Sequence, residues 1–225
     1  MALRAAVFDF DGVIVDSEPL HFRSLQAALA GEGVEITEQE YRDELLAYDD
    51  RSSIRIAFER RGERLDPERL ERAARAKAES FAELIPQIAV YPGARELISW
   101  LGARVPLAIA SGARREEIEA ILAGAGLRGA FRAVVGAEDA GRTKPDPAPY
   151  LEAARRLGKT LSGLAPGDCL ALEDSVAGVL SALGAGMKVV GVAHTYPAEK
   201  LRSATRVVDS LAALEPGSLG GLFEN

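Results

Sequence analysis

From Tyr91 onward, short runs rich in Val, Ile, Leu and Ala alternate with amphipathic stretches, and few folds accept that pattern. ARELISWLG reads as a helix, VPLAIAS as a strand, RREEIEAILAG as a helix and AFRAVVG as a strand. PAPYLEAARRLG, DCLALED, VAGVLSALGAG, KVVGVA and a short VVD continue the alternation. Strands that are apolar on both faces and separated by helices predict βαβ units, and so a parallel sheet covered on both sides. Arg4–Phe10 reads as one more buried strand and joins the same sheet.

Between that first strand and Tyr91 the pattern changes. From Ser17 to about Ile85, apolar residues recur at helical spacing through PLHFRSLQAALA, EQEYRDELLAY, SSIRIAFERRG and PERLERAARAKAESFAELI, punctuated by Gly31, Gly33, Gly62 and Pro67. The expectation is an α/β class fold: a Rossmann-like parallel-sheet core from residues 1–15 and 88–225, with an all-helical unit of four helices, 16–87, inserted after the first strand. The linkers fall near Val15–Ser17 and Ala89–Pro92. A chain of 225 residues is long enough for a domain carrying a smaller insert. The string GAGLRG, Gly124 to Gly129, satisfies a dinucleotide-binding pattern but follows a helix and precedes a strand. It is therefore read as a helix end and turn.

A net charge of −7 argues against nonspecific attraction to nucleic acid or anionic membranes. The single cysteine, Cys169, forms no intramolecular disulfide and sits in an apolar run, which fits a buried core residue in a reducing cytoplasm. No apolar segment approaches the roughly 20 residues needed to cross a bilayer. A cytoplasmic monomer with no nucleic-acid or membrane partner is expected.

In open α/β sheets, ligands bind beyond the carboxyl ends of the strands. The first strand ends in FDFDG, which places Asp9 and Asp11 there. Strand alternation points 9 and 11 one way, with Phe8 and Phe10 packing on the other face. The next strand ends at Ser111 and Gly112; AVVG runs into a loop bearing Lys144; LAL ends at Glu173, Asp174 and Ser175. Ser111 and the Glu173–Ser175 segment also suit helix capping, and Lys144 taken alone suits a solvated loop. Two carboxylates at the mouth of a buried strand repel each other and lose hydration, so they call for a cation. Asp9, Asp11 and Asp174 offer hard oxygens suited to Mg²⁺, and a hydroxyl with an ammonium would hold phosphoryl oxygens. Those parts suit phosphoryl transfer.

The segments DFDGV, ASG, KPDP and LEDSVAG, in that order, resemble the signature of the haloacid dehalogenase-like hydrolase superfamily. The helical insert resembles the four-helix cap of its β-phosphoglucomutase-like and sugar-phosphatase branch. The resemblance implies that Asp9 is the nucleophile, forming an aspartyl-phosphate, and that Asp11 is the general acid and then base, its backbone carbonyl also on Mg²⁺. It implies that Ser111 and the N–H groups of Gly112 and Ala113 bind phosphate, that Lys144 bridges nucleophile and phosphate, and that Asp174 ligates Mg²⁺ with Glu173 beside it in the metal site. Dehalogenase members lack the second aspartate, so a phosphoryl substrate is implied. Gly112 stands where many relatives carry asparagine or serine, which leaves backbone donation intact and removes a side-chain contact.

In this branch the cap selects the substrate. His21 resembles a histidine that contacts the leaving sugar hydroxyl in β-phosphoglucomutase, and a surface position on its helix is the alternative. YDDRSS, with Arg51, Ser52 and Ser53, resembles the specificity loop, although Arg51 also suits a helix start. Lys77 matches a cap lysine of the mutase, yet its neighbours Arg72, Arg75 and Glu79 predict a solvated helix face. His194, in GVAHTYP after a strand, suits the rim of the core, but a solvated loop position is the expectation. The implied activity is a Mg²⁺-dependent phosphatase acting on a small phosphorylated metabolite, a sugar phosphate; a β-phosphoglucomutase using the same aspartyl-phosphate is the alternative.

Overall fold

The computed structural model describes residues 2–46 and 48–223. The chain divides into two units, Met1–Asp16 with Ala89–Asn225, and Ser17–Ile88.

In the first unit a six-stranded sheet carries the architecture. Its strands are β1 (Ala5–Phe8), β4 (Leu107–Ala110), β5 (Phe131–Val135), β6 (Cys169–Glu173), β7 (Lys188–Val192) and β8 (Arg206–Val208), in the order β5-β4-β1-β6-β7-β8. Every neighbouring pair is parallel. Helices α5 (Ala94–Gly102), α6 (Arg115–Gly124), α7 (Ala148–Gly158) and α8 (Val176–Gly184) make the crossovers. All four residues of β1 are buried, as expected for a central strand covered on both faces. On one face the small residues Ala5, Val7, Ala108, Ala110 and Ala171 let α7 and α8 approach closely. Tyr150, Ala153, Leu157, Val179 and Ala182 fill that layer. On the other face the Phe8 ring meets Phe131 edge to face, with centroids 5.9 Å apart.

The first strand is shorter than the sequence suggests, because the backbone leaves the ladder after Asp9. The Asp9 N–H still reaches the Leu172 carbonyl at 2.9 Å, and a tight turn follows in which Ile14 N–H donates to Phe10 O at 2.8 Å. Where the chain leaves and re-enters this unit, two-residue strands β2 (Val15–Asp16) and β3 (Ala89–Val90) pair antiparallel. GAGLRG lies between the end of α6 and β5, with Gly126 at φ +69°, a helix terminus and not a phosphate loop. Cys169 is buried in the core, and burial pushes its thiol up to about 12.

The second unit is helical: α1 (Glu18–Gly31), α2 (Glu38–Glu40), α3 (Asp50–Arg61) and α4 (Pro67–Leu84). The α2 turn runs directly into a π-helical turn, Tyr41–Leu45, where a regular helix was expected. Local chemistry sets the ends. Thr37 and Glu40 form a capping box, and the side chains of Asp49 and Asp66 accept first-turn N–H groups of α3 and α4. Leu25, Leu29, Tyr41, Leu45, Ile54, Phe58 and Leu70 form this unit's own core. No helix among the described residues is long and apolar enough to cross a membrane.

Candidate active site

The parallel register decides what meets at the carboxyl edge of the sheet. β1 lies between β4 and β6, with Phe8 opposite both Ile109 and Leu172. The residues just beyond those positions, Asp9, Ser111, Glu173 and Asp174, therefore emerge side by side. All four are buried.

Lys144 connects them. Its ammonium lies 2.7 Å from Asp9 Oδ1 and 2.6 Å from Glu173 Oε1, and it rests over the Tyr150 ring, 5.2 Å from the centroid. Carboxylate oxygens of Asp9, Glu173 and Asp174 all lie within 4.8 Å of one another. Three buried carboxylates thus face a single ammonium. Burial raises the Asp9 carboxyl well above its usual range, with Lys144 opposing the rise and the neighbouring carboxylates adding to it. Asp174 is pushed up to about 7 by burial and then by Glu173, a shift that a hydrogen bond from Thr195 partly offsets. Burial alone would lower Lys144, but Asp9 and Glu173 overcome it and hold the ammonium above the usual lysine range.

Glu173 is held at both oxygens. Oε1 accepts from Lys144 and from the Tyr150 hydroxyl at 3.1 Å, and Oε2 accepts from the Ser175 N–H at 2.8 Å and hydroxyl at 3.0 Å. Ser175 also caps α8 by accepting the Gly178 N–H. The carboxylate lies so close to the helix that a Cβ on Gly178 would sit 1.6 Å from Glu173 Oε1. Gly12 is as constrained: its φ is +78°, and a Cβ there would meet Asp174 Oδ2 at 1.9 Å.

Asp11 is half-buried in the turn after Asp9, which is closed by Gly12 N–H donating to Val15 O at 2.9 Å. Ser111 Oγ accepts the Ala113 N–H at 3.0 Å, so that N–H is turned onto the serine. Around Gly112 a side chain would meet open space, so the glycine there is not required by crowding.

The structure brings Asp9, Lys144, Glu173 and Asp174 together, with Ser111 on the neighbouring strand. Sequence reasoning missed Tyr150 and Thr195, and it misjudged His194. This histidine is not a solvated loop residue: Nδ1 lies 2.8 Å from the Gly12 carbonyl and the ring stacks on Tyr91 at 4.0 Å between centroids. The spacing of Tyr150, Ala153, Ala154 and Leu157 on α7 was the available signal for Tyr150, since it puts the tyrosine on the buried stripe.

Within the helical unit, Lys77 is buried, not solvated. Its ammonium lies 3.0 Å from His21 Nδ1 and 2.9 Å from Asp50 Oδ2, and it rests over Phe81. The His21 ring stacks on Phe81 at 4.2 Å, away from the surface position considered for it. An ammonium can only donate, so His21 Nδ1 accepts and the ring is neutral. Burial and then Lys77 depress its pKa to about 3. Arg51 forks onto Glu71, with one contact at 2.8 Å. Ser52 donates to its capping partner Asp49 at 2.7 Å, and Ser53 donates to Leu45 O at 3.1 Å. These three side chains are thereby engaged inside the unit.

With this geometry in view, comparison with known proteins is specific. Residues 3–186 match the family model for haloacid dehalogenase-like hydrolases. The chain is 34% identical over 190 residues to the fructose-1-phosphate phosphatase YqaB of Escherichia coli (strain K12), covering 83% of this chain and 94% of that protein. The solved structure of CbbY from Rhodobacter sphaeroides in complex with phosphate superposes with a TM-score of 0.80 at 29% identity, covering 95% of this chain and 96% of that one. A β-phosphoglucomutase from Clostridium difficile shares the fold, with a TM-score of 0.82 at 24% identity and coverage of 98% and 97%.

Proposed function

Since the chain belongs to the haloacid dehalogenase-like hydrolases, and to the phosphatases among them, we propose that it is a Mg²⁺-dependent phosphatase of a small sugar phosphate, working through an aspartyl-phosphate on Asp9. The observation that carries this reading is Lys144 set between Asp9 and Glu173 in a buried group of three carboxylates.

The residues fit a divalent cation. The donors are hard oxygens, and burial, with the negative charge that Lys144 leaves uncompensated adding to it, raises Asp9 and Asp174. Asp9 and Asp174, with the backbone carbonyl of Asp11, would hold the ion; once bound it supplies charge neutralisation at the phosphoryl oxygens. Glu173, with both oxygens already accepting hydrogen bonds, braces Lys144 and the turn at Ser175.

In the first step an Asp9 oxygen forms a bond to phosphorus while the ester P–O bond breaks. Asp11 gives its proton to the departing sugar oxygen. In the second step Asp11 takes a proton from water, which attacks phosphorus and frees Asp9 and inorganic phosphate. Lys144 offsets charge throughout, and the Ser111 hydroxyl donates to a non-bridging oxygen.

The test is phosphate release from p-nitrophenyl phosphate and from a panel of sugar phosphates. Activity should require Mg²⁺, vanish with EDTA, and fall about a thousandfold or more in Asp9→Asn, which removes the nucleophile. Undiminished turnover in that variant sinks the reading. The buried His21–Lys77 pair keeps a second reading, a β-phosphoglucomutase. With β-glucose 1-phosphate as substrate, released phosphate supports the phosphatase and accumulated glucose 6-phosphate the mutase.

A further inference from the structure

We infer that His194 is a positioning residue for Asp11: its imidazole pins the Asp11–Gly12 turn through the Gly12 carbonyl. This rests on the proposed role of Asp11 as the proton donor to the leaving group.

The turn from Phe10 to Val15, which carries Asp11, must change direction sharply just after Asp9. Its own hydrogen bonds, Gly12 N–H to Val15 O and Ile14 N–H to Phe10 O, close it from inside. They leave the Gly12 carbonyl to be satisfied from elsewhere, and His194 Nδ1 lies 2.8 Å from it. A carbonyl oxygen only accepts, so Nδ1 carries the proton and the tautomer is fixed by the partner.

The imidazole is itself held. It stacks on Tyr91 with the ring planes 18° apart, and the Tyr91 N–H donates to Ile14 O at 2.9 Å, on the far side of the same turn. The turn is therefore gripped at two carbonyls, Gly12 by the imidazole and Ile14 by the backbone of the residue under that imidazole. The next residue in the chain extends the grip: Thr195 donates to Asp174, and its Oγ1 lies 2.8 Å from where a Cβ on Gly12 would be. One dipeptide after β7 thus holds the two strand ends that carry Asp11 and Asp174. A general acid must sit within hydrogen-bond reach of the oxygen it protonates, so a small loosening of this turn acts on proton transfer before it acts on phosphate binding.

The leaving group provides a test that a merely structural role would not pass. p-Nitrophenolate departs without protonation, whereas a sugar alkoxide needs the proton. His194→Phe keeps a ring for the stack and removes the donor. Its kcat/KM should fall about tenfold or more on a sugar phosphate and stay within about threefold on p-nitrophenyl phosphate. His194→Asn restores an amide N–H near the Nδ1 position and should recover most of the loss. Adding His194→Phe to Asp11→Asn should cost nothing further, because both act on the same step. Equal losses on both substrates, no loss on either, or multiplying losses in the double variant would overturn the proposal. A second measurement needs no variant: imidazole ¹⁵N NMR of the wild-type protein should show His194 protonated at Nδ1, and an Nε2-only tautomer would equally overturn it. Retained turnover in Asp9→Asn, by contrast, sinks the reading of the site itself.

Discussion

A single methyl group at Gly178 would fall inside the Glu173 carboxylate, 1.6 Å from Oε1 and 1.8 Å from the carboxyl carbon. Gly178→Ala must expel that carboxylate from the first turn of α8. It should cost about 1–3 kcal/mol in urea unfolding, the usual range for overpacking a tight site, and lower phosphate release with it. Gly112→Ser is the control: open space surrounds that position, and wild-type stability is expected. Tyr150→Phe tests the brace more gently. It removes one donor from a buried charged acceptor, and a loss of about 1.5–3 kcal/mol is expected by the same measurement.

At the scale of elements, the buried stripe of α4 runs Leu70, Ala73, Lys77, Phe81, and the third member is a lysine that needs a partner. His21, on α1, accepts from it only while neutral. The folded pKa of about 3 lies below the usual 6.5, so between those values the unfolded chain binds the proton that the folded one refuses. Stability therefore rises with pH across that window and is lost as pH falls through it. The opening free energy of α1 and α4 amides, taken from hydrogen exchange corrected for the intrinsic rate at each pH, should fall as pH drops from 6.5 towards 4, and His21→Gln should flatten the trend. The same stripe shows why Lys77 misleads a reader of sequence. Its neighbours Arg72, Arg75 and Glu79 describe the outer face, while its phase with Leu70 and Phe81 describes the inner one, and phase decides burial. The six strands were legible because each contains a short apolar run set between amphipathic helical stretches or at their end. The two-residue ladder of β2 and β3 and the π-helical turn at Tyr41–Leu45 are too short to leave a period. His194 was illegible for another reason: its partner Gly12 lies 182 residues away, and only the sheet order brings them together.

For the molecule as a whole, a cation that binds the folded protein and not the unfolded chain must stabilise it by mass action, about 2.7 kcal/mol at a hundredfold excess over Kd. Saturating Mg²⁺ should raise the Tm of EDTA-treated protein, and Asp174→Asn should abolish most of the rise. Protons compete for the same oxygens. With Asp174 pushed up to about 7, the Mg²⁺-dependent increment in Tm should shrink as pH is lowered through that value, and a melting series at fixed Mg²⁺ from pH 8 to 6 checks it. The sheet order carries one more consequence, for synthesis. The strand that delivers Asp9 is made first yet sits in the middle of the sheet, between β4 and β6. Arg4 finds Asp168 only after 164 further positions. On the ribosome the helical unit, Ser17–Ile88, is complete before β4 is made and can assemble while β1 still waits for both neighbours. The apolar strand AAVF, with the proposed nucleophile at its tip, is thus translated ahead of the other strands of the sheet and gains its second neighbour only when β6 arrives.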